Sequence, residues 1–198
     1  MRIAITGGIG SGKSFFCRQL ELRGVSVYDC DAAAKRLMAS DESLKEALCR
    51  TVGNNCYQGG QLQKRVLAQF VLHSEANKRL IDSIVHPAVA FDFLHSGFSW
   101  LESAILFDSG FVRRVDFDLI VGVAAPLEVR IERIMQRDNI SRTKALQWIE
   151  CQWPQEKVME RCDVVVNNDG KNDLGQAADL LLATVEKYKN DNSTKNKS

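Results

Sequence analysis

The chain reads as an α/β protein with a parallel sheet and a phosphate-binding loop behind its first strand, and three observations predict this. Short apolar runs alternate with stretches of helical periodicity, the signature of strand-helix units. "TGGIGSGKS" (Thr6 to Ser14) places four glycines directly after the first apolar run. About sixty central residues, from Ala32 to near Leu94, carry helical spacing with a single break, which reads as a helical insertion rather than a further strand-helix unit.

The elements follow in order. Arg2 to Ile5 is expected to be a buried strand, and "SFFCRQLELRG" a helix stopped at Gly24. "VSVYD" reads as the second strand. The all-helical stretch comes next, interrupted at "NNCYQGG", and "WLESAILF" and "DLIVGVAA" restore the strand pattern, the second leading through Pro126 into a helix. "VVVNN" is a last short strand before a helix from about Leu174 to Tyr188. The polar end, residues 191–198, reads as a disordered tail.

Composition limits what this fold can serve. With 198 residues and 45% hydrophobic content, the chain fills one core, or one core with a small subdomain. Its 26 basic and 25 acidic residues nearly cancel, so a broad nucleic-acid or anionic-membrane footprint is not indicated and any phosphate binding must be local. Six cysteines include no C-x-x-C pair and no zinc-finger spacing, which suits reduced thiols in a cytoplasmic protein without a secretory signal. No segment approaches the roughly 20 apolar residues needed to span a bilayer.

Gly7, Gly12, Lys13 and Ser14 match G-x-x-x-x-G-K-S/T without a mismatch, between a strand and a helix. Backbone N–H groups not covered by β-carbons can converge there on phosphate oxygens, and the helix N-terminus adds about half a positive charge. Lys13 would reach the β- and γ-phosphates and the Ser14 hydroxyl would ligate Mg²⁺. Gly8, Ile9, Gly10 and Ser11 complete the loop, and Phe15 follows it in the first helical turn; all are candidate ATP contacts.

The loop alone fits a GTPase, a motor ATPase or a small-molecule kinase. No N-K-x-D guanine motif is present, and the chain is short for a motor. A kinase also needs a carboxylate for the acceptor's hydroxyl proton and cations for the transferring phosphoryl group. "VYDCDAAAKRL" offers Asp29 and Asp31 at the carboxyl end of the second strand, where strand alternation would point both the same way. Asp31 could instead N-cap a helix starting at Ala32. The cations are Arg130, Arg133 and Arg137, on one helix face at i, i+3, i+7, followed by a polar segment in which Ser141 would cap the next helix. That arrangement suits a lid bringing Arg133 and Arg137 to a phosphate chain, with Arg130 and Arg142 less favoured. Two other classes stay open on these residues: a nucleotide-binding regulatory module, and a kinase acting on another nucleoside or nucleotide.

"ITGGIGSGKS", "VYDCDAAAKRL", "IVHPAV", "SAILFDSGF", "RIERIMQRDNIS" and "VVVNNDG" occur in the order and spacing of the dephospho-CoA kinases, and the chain resembles that family from about residue 2 to residue 188. The resemblance implies a three-layer P-loop core with a helical substrate-binding insertion and a lid. Its expected division is a single kinase domain 1–190, with core 1–31, 96–125 and 160–190, insertion 32–95 and lid 126–159. It also implies ATP-dependent phosphorylation of the ribose 3′-hydroxyl of dephospho-CoA, the last step of coenzyme A synthesis, with Mg²⁺. The enzyme is expected to be a monomer or weak oligomer. Asp31 falls on the family's general base, with Asp29 supporting; Lys64, Arg65, His86 and Pro87 fall on the acceptor side, and Asn168 in "NNDG" lies near the adenine of ATP. The alternative reading of His86 is a buried histidine ordering a turn before Pro87. Three departures stand out: Asp108 in "AILFD" where a glutamate is common, Lys64 where an arginine is usual, and Cys30 between the two aspartates.

Overall fold

β1 (Ile3–Thr6) is buried at every position, which is what an apolar run must achieve in the middle of a sheet. The computed structural model describes residues 1–195 and divides into two compact units. The first contains Met1–Val27, Ser99–Asp108 and the chain from Asp116 onward; the second contains Tyr28–Phe98 and Ser109–Val115.

In the first unit, β1 pairs in parallel with β5 (Trp100–Ser103) and with β6 (Leu119–Ala124), and β6 pairs in parallel with β7 (Val164–Asn167). With β2 (Val27–Asp29), the order across the sheet is β2-β5-β1-β6-β7. This is the predicted parallel α/β architecture. Strand β5 stops at Ser103, so "AILF", expected to continue it, forms turns instead, and the chain turns away just past Glu102. Helices α1 (Lys13–Glu21) and α9 (Leu174–Lys195) cover the sheet, with Phe16, Leu20, Leu181 and Val185 packing on Ile3, Ile5, Val121 and Val123. α9 runs on through residues 191–195, which were expected to be a disordered tail; residues 196–198 lie outside the described residues. Helix propagation adds one backbone hydrogen bond per residue, so a polar composition does not by itself end it.

Three further helices, α6 (Leu127–Asp138), α7 (Arg142–Glu150) and α8 (Gln155–Met159), complete this unit. Ser141 caps α7 as predicted, accepting from the Lys144 N–H at 3.3 Å. A β-carbon on Gly122 of β6 would strike the sulfur atoms of Met159 and Cys162, so a larger residue there would force those side chains to move. Burial pushes the Cys162 thiol up to about 11.

The second unit holds α2 (Cys30–Ser40), α3 (Glu42–Val52), α4 (Lys64–His73) and α5 (Glu75–His95). It is not all-helical, because β3 (Tyr57–Gln58) and β4 (Gln61–Leu62) form a hairpin across Gly59 and Gly60. Both glycines have positive φ, 57° and 78°, which is the backbone a two-residue hairpin turn demands. Tyr28 anchors the unit: its hydroxyl donates to Asp92 Oδ2 at 2.6 Å, and its ring meets Phe93 and Phe98 edge-on. Pro87 makes no turn; it lies inside α5, which continues for 21 residues. No disulfide joins any of the six cysteines.

Candidate active site

The first unit carries the loop. Gly12 sits at the N-cap of α1 with φ 91°, a left-handed conformation that glycine takes without strain, and it offers no side chain to cap the helix. The N–H groups of the first turn are therefore directed to whatever anion occupies the loop. Lys13 is buried at 8% exposure, whereas Ser14 and Phe15 are exposed. The Ser14 hydroxyl donates to Glu102 Oε1 at 2.9 Å. The Cys17 thiol hydrogen-bonds the same carboxylate; burial, reinforced by the Glu102 charge, pushes that thiol well up, so it stays protonated.

The loop's shape is held from α6 and its neighbours. Arg130 donates through Nε to the Ile9 carbonyl at 2.9 Å, and the Ile9 N–H donates to Gln152 Oε1 at 2.8 Å, so both backbone polar groups of this one residue are held. The Ile9 side chain packs on the cluster of Ile131, Ile134 and Ala145 between α6 and α7. Burial lowers the pKa of Arg130, opposed by Glu156, but a guanidinium keeps its charge throughout the physiological range. Arg133 reaches the carbonyls of Gly10 and Ser11 at 3.4 and 3.3 Å and donates to Asn168 Oδ1 at 3.1 Å. Asn168, buried at 6% exposure, donates to the Ser11 carbonyl at 2.8 Å. Arg137 turns to the neighbouring Asp138 instead, and Arg142 pairs with Glu128.

The three arginines thus divide by reach, which helical spacing alone did not reveal. Arg130, the less favoured one, makes the close contact with the loop; Arg133 touches it through carbonyls; Arg137 does not touch it. Asp108 accepts from the Trp153 N–H at 3.1 Å, which fixes the turn between α7 and α8. Trp153 stacks on Phe107 with ring centroids 6.4 Å apart. Glu102 and Gln152 were missed by sequence reasoning. Neither belongs to a local pattern; each is brought to the loop by tertiary packing.

The second unit carries the candidate acceptor residues. Strand β2 ends at Asp29, so alternation does not extend to Asp31. Asp29 has the extended backbone of an N-cap, and its Oδ1 accepts from the N–H groups of Asp31 and Ala32 at 2.8 and 3.0 Å. The helix cap is therefore Asp29 rather than Asp31, and α2 begins at Cys30, whose side chain is buried. Asp31 stands exposed in the first turn with its carboxylate not used for capping. Lys64 and Arg65 open α4, both exposed. On α5, His86 lies 3.6 Å from Asp82 Oδ1, and burial, helped by Arg114, lowers its pKa against the opposing pull of Asp82 and a Ser109 backbone hydrogen bond.

Ser14 and Glu102 present hard oxygens of the kind Mg²⁺ takes, and among the described residues no group of three or more His, Cys, Asp or Glu could cage a metal alone. Mg²⁺ held mainly by phosphates and water, with one or two protein oxygens, suits this donor set.

Known proteins agree with the loop's reading. The dephospho-CoA kinase family model matches residues 1–173. A dephospho-CoA kinase of Bacteroides fragilis is 38% identical over 199 residues, covering 94% of each chain. Among solved structures, TT1252 from Thermus thermophilus superposes with a TM-score of 0.78 at 34% identity, over 93% of this chain and 97% of that one. Shikimate kinase from Acinetobacter baumannii, at 14% identity and a TM-score of 0.56 over 95% of this chain and 94% of its own, shares the fold. With a family model across most of its length and a relative this similar along nearly all of it, the chain belongs to the dephospho-CoA kinase family.

Proposed function

We propose that the chain transfers the γ-phosphoryl group of ATP to the ribose 3′-hydroxyl of dephospho-CoA, giving coenzyme A and ADP as the final step of coenzyme A synthesis. The observation that carries this reading is the glycine-capped phosphate loop opening α1 in a chain of this family. The loop N–H groups and Lys13 hold the donor phosphates, and Ser14 with Glu102 would hold Mg²⁺. When bound, Mg²⁺ neutralises charge on the phosphate oxygens and orients them.

Asp31 takes the proton of the acceptor hydroxyl, and the Asp29 cap fixes the first turn from which it projects. Freed from capping, its carboxylate can accept that proton. Lys13 and Arg133 offset the charge that spreads over the equatorial oxygens in transfer. Arg137 joins them by leaving Asp138, and the exchange costs little because an exposed pair is worth at most about 1 kcal/mol. Arg137, Asn168 and Phe15 complete the nucleotide side; Lys64, Arg65, His86 and Pro87 serve the acceptor side. Segment 126–159 acts as a lid that excludes water, which would otherwise compete as acceptor.

No helix among the described residues is long and apolar enough to cross a membrane, and the near-neutral charge suits small-molecule substrates rather than nucleic acid. We assign the enzyme to the cytoplasm as a monomer or weak oligomer. Purified protein with ATP and Mg²⁺, offered dephospho-CoA beside a panel of nucleosides and nucleoside monophosphates, should consume ATP fastest with dephospho-CoA and place phosphate on the 3′-oxygen. Faster turnover of a panel member would transfer the assignment to that acceptor, and slow ATP hydrolysis without transfer would favour a regulatory module.

A further inference from the structure

Helix α5 is apolar on two opposite sides. Ile81, Val85, Val89 and Phe93, each one turn from the last, are buried in the second unit. Leu80, Ile84, Pro87, Phe91 and Leu94 follow one another in steps of four and three on the other side. Leu80, Phe91 and Leu94 are 49%, 65% and 40% exposed, and Pro87 is exposed with them. The stripe itself carries no charge: Asp82 and His86 pair elsewhere on the helix, and Asp92 is held by Arg36 and Tyr28. A surface helix ordinarily turns polar residues outward, and one that is apolar all round is ordinarily covered. The Phe91 ring is also held in place, against His95 with ring centroids 4.1 Å apart, as the anchor of an interface would be.

The occupant that fits this stripe is the same stripe of a second copy. Steps of four and three are the seam of two helices packed side by side. Two copies of α5 run antiparallel, with the twofold axis at position 89, set Pro87 against the partner's Phe91 and Ile84 against the partner's Leu94, and the same pairs again in reverse. The long Phe91 ring then lies over the short Pro87, and Leu80 reaches the partner where Gly97 follows its helix. Shifting the pair by one heptad would instead set Leu94 against the polar Asn77. Ser83 and Ala88, small residues bordering the stripe, let the backbones approach, and antiparallel helices oppose their dipoles. From Leu80 to Leu94 the stripe is about 21 Å long at 1.5 Å per residue. Two such helices in contact cover on the order of 1,000 Å² in total, the lower limit of a specific interface, so the association is a weak one. A formal net charge of +1 sets little repulsion against it.

We propose that the chain forms a reversible homodimer through the outer face of α5, antiparallel about position 89, with a dissociation constant in the micromolar range. The proposal stands independently of the catalytic reading.

Sedimentation velocity from about 1 to about 200 μM should show wild type passing from monomer to dimer. Phe91→Asp should weaken association roughly tenfold or more, because a carboxylate would then be buried against apolar side chains. Leu180→Asp, which alters a leucine 72% exposed on α9, should dimerise as wild type does. Ile84→Lys and Leu94→Glu should each weaken the dimer, whereas the double variant, which sets opposite charges across both ends of the antiparallel pair, should recover it. That recovery also shows that the substituted chains fold. Wild type that stays monomeric at about 200 μM would overturn the proposal and leave the face to a different partner. Unchanged dimerisation of Phe91→Asp would overturn it as well, and a double variant no better than its parents would overturn the antiparallel register.

Discussion

At the scale of single residues, two carboxylates two positions apart have different tasks because backbone geometry assigns them. Asp29 ends a strand in extended conformation, and its oxygen closes on the first N–H groups of α2. Asp31, already helical, keeps its carboxylate exposed. His86 shows the same dependence on surroundings. Burial is the main cause that holds its pKa below the ordinary value of 6.5. Because the unfolded chain then binds the proton more readily than the folded one, His86 costs nothing above pH 6.5 and destabilises the protein as pH falls from there through its folded pKa. Denaturant midpoints measured from pH 7 down to pH 5 should fall more steeply in wild type than in His86→Gln, and parallel slopes would contradict this account.

At the scale of elements, the phosphate loop depends on helices that come much later in the chain. Arg130 and Gln152 hold the carbonyl and the N–H of Ile9, and the Ile9 side chain is seated on the α6–α7 cluster. Gln152→Ala leaves the Ile9 N–H without its acceptor, a loss of about 1 kcal/mol, so ATP binding measured by calorimetry should weaken roughly fivefold. Unchanged affinity would mean that packing of the Ile9 side chain alone sets the loop. The loop itself was legible in the sequence, because a run of glycines followed by Lys13 and Ser14 has few other uses. The arginine face was legible too, but not which arginine reaches the loop, since a 3.6-residue period does not encode distance to another element. Pro87 misled for a different reason. Proline disfavours helix interiors, yet the fold retains α5 around it, with Ile81, Val85, Val89 and Phe93 buried on both sides of the proline. Glu102 had no local signal at all, and its importance follows from the Ile5–Glu102 register of β1 and β5 beside Ser14.

At the scale of the whole molecule, the chain builds the sheet-bearing unit from three segments and draws a second, mostly helical unit from residues 28–98, between α1 and β5, and from residues 109–115, between β5 and β6. The insertion was legible because its periodicity changes at Ala32; its hairpin was not, because two-residue strands are too short to show alternation. We propose donor chemistry for the first unit and acceptor chemistry for the second, with Asp31 as the base that makes an alcohol the acceptor. The most direct test is kcat for dephospho-CoA in Asp31→Asn, with ATP affinity measured on the same protein. With Asp31 as the base, kcat falls by on the order of 10² to 10⁴ while ATP binding stays unchanged. Wild-type turnover in that variant would contradict it and leave Asp31 an exposed carboxylate in the first turn of α2.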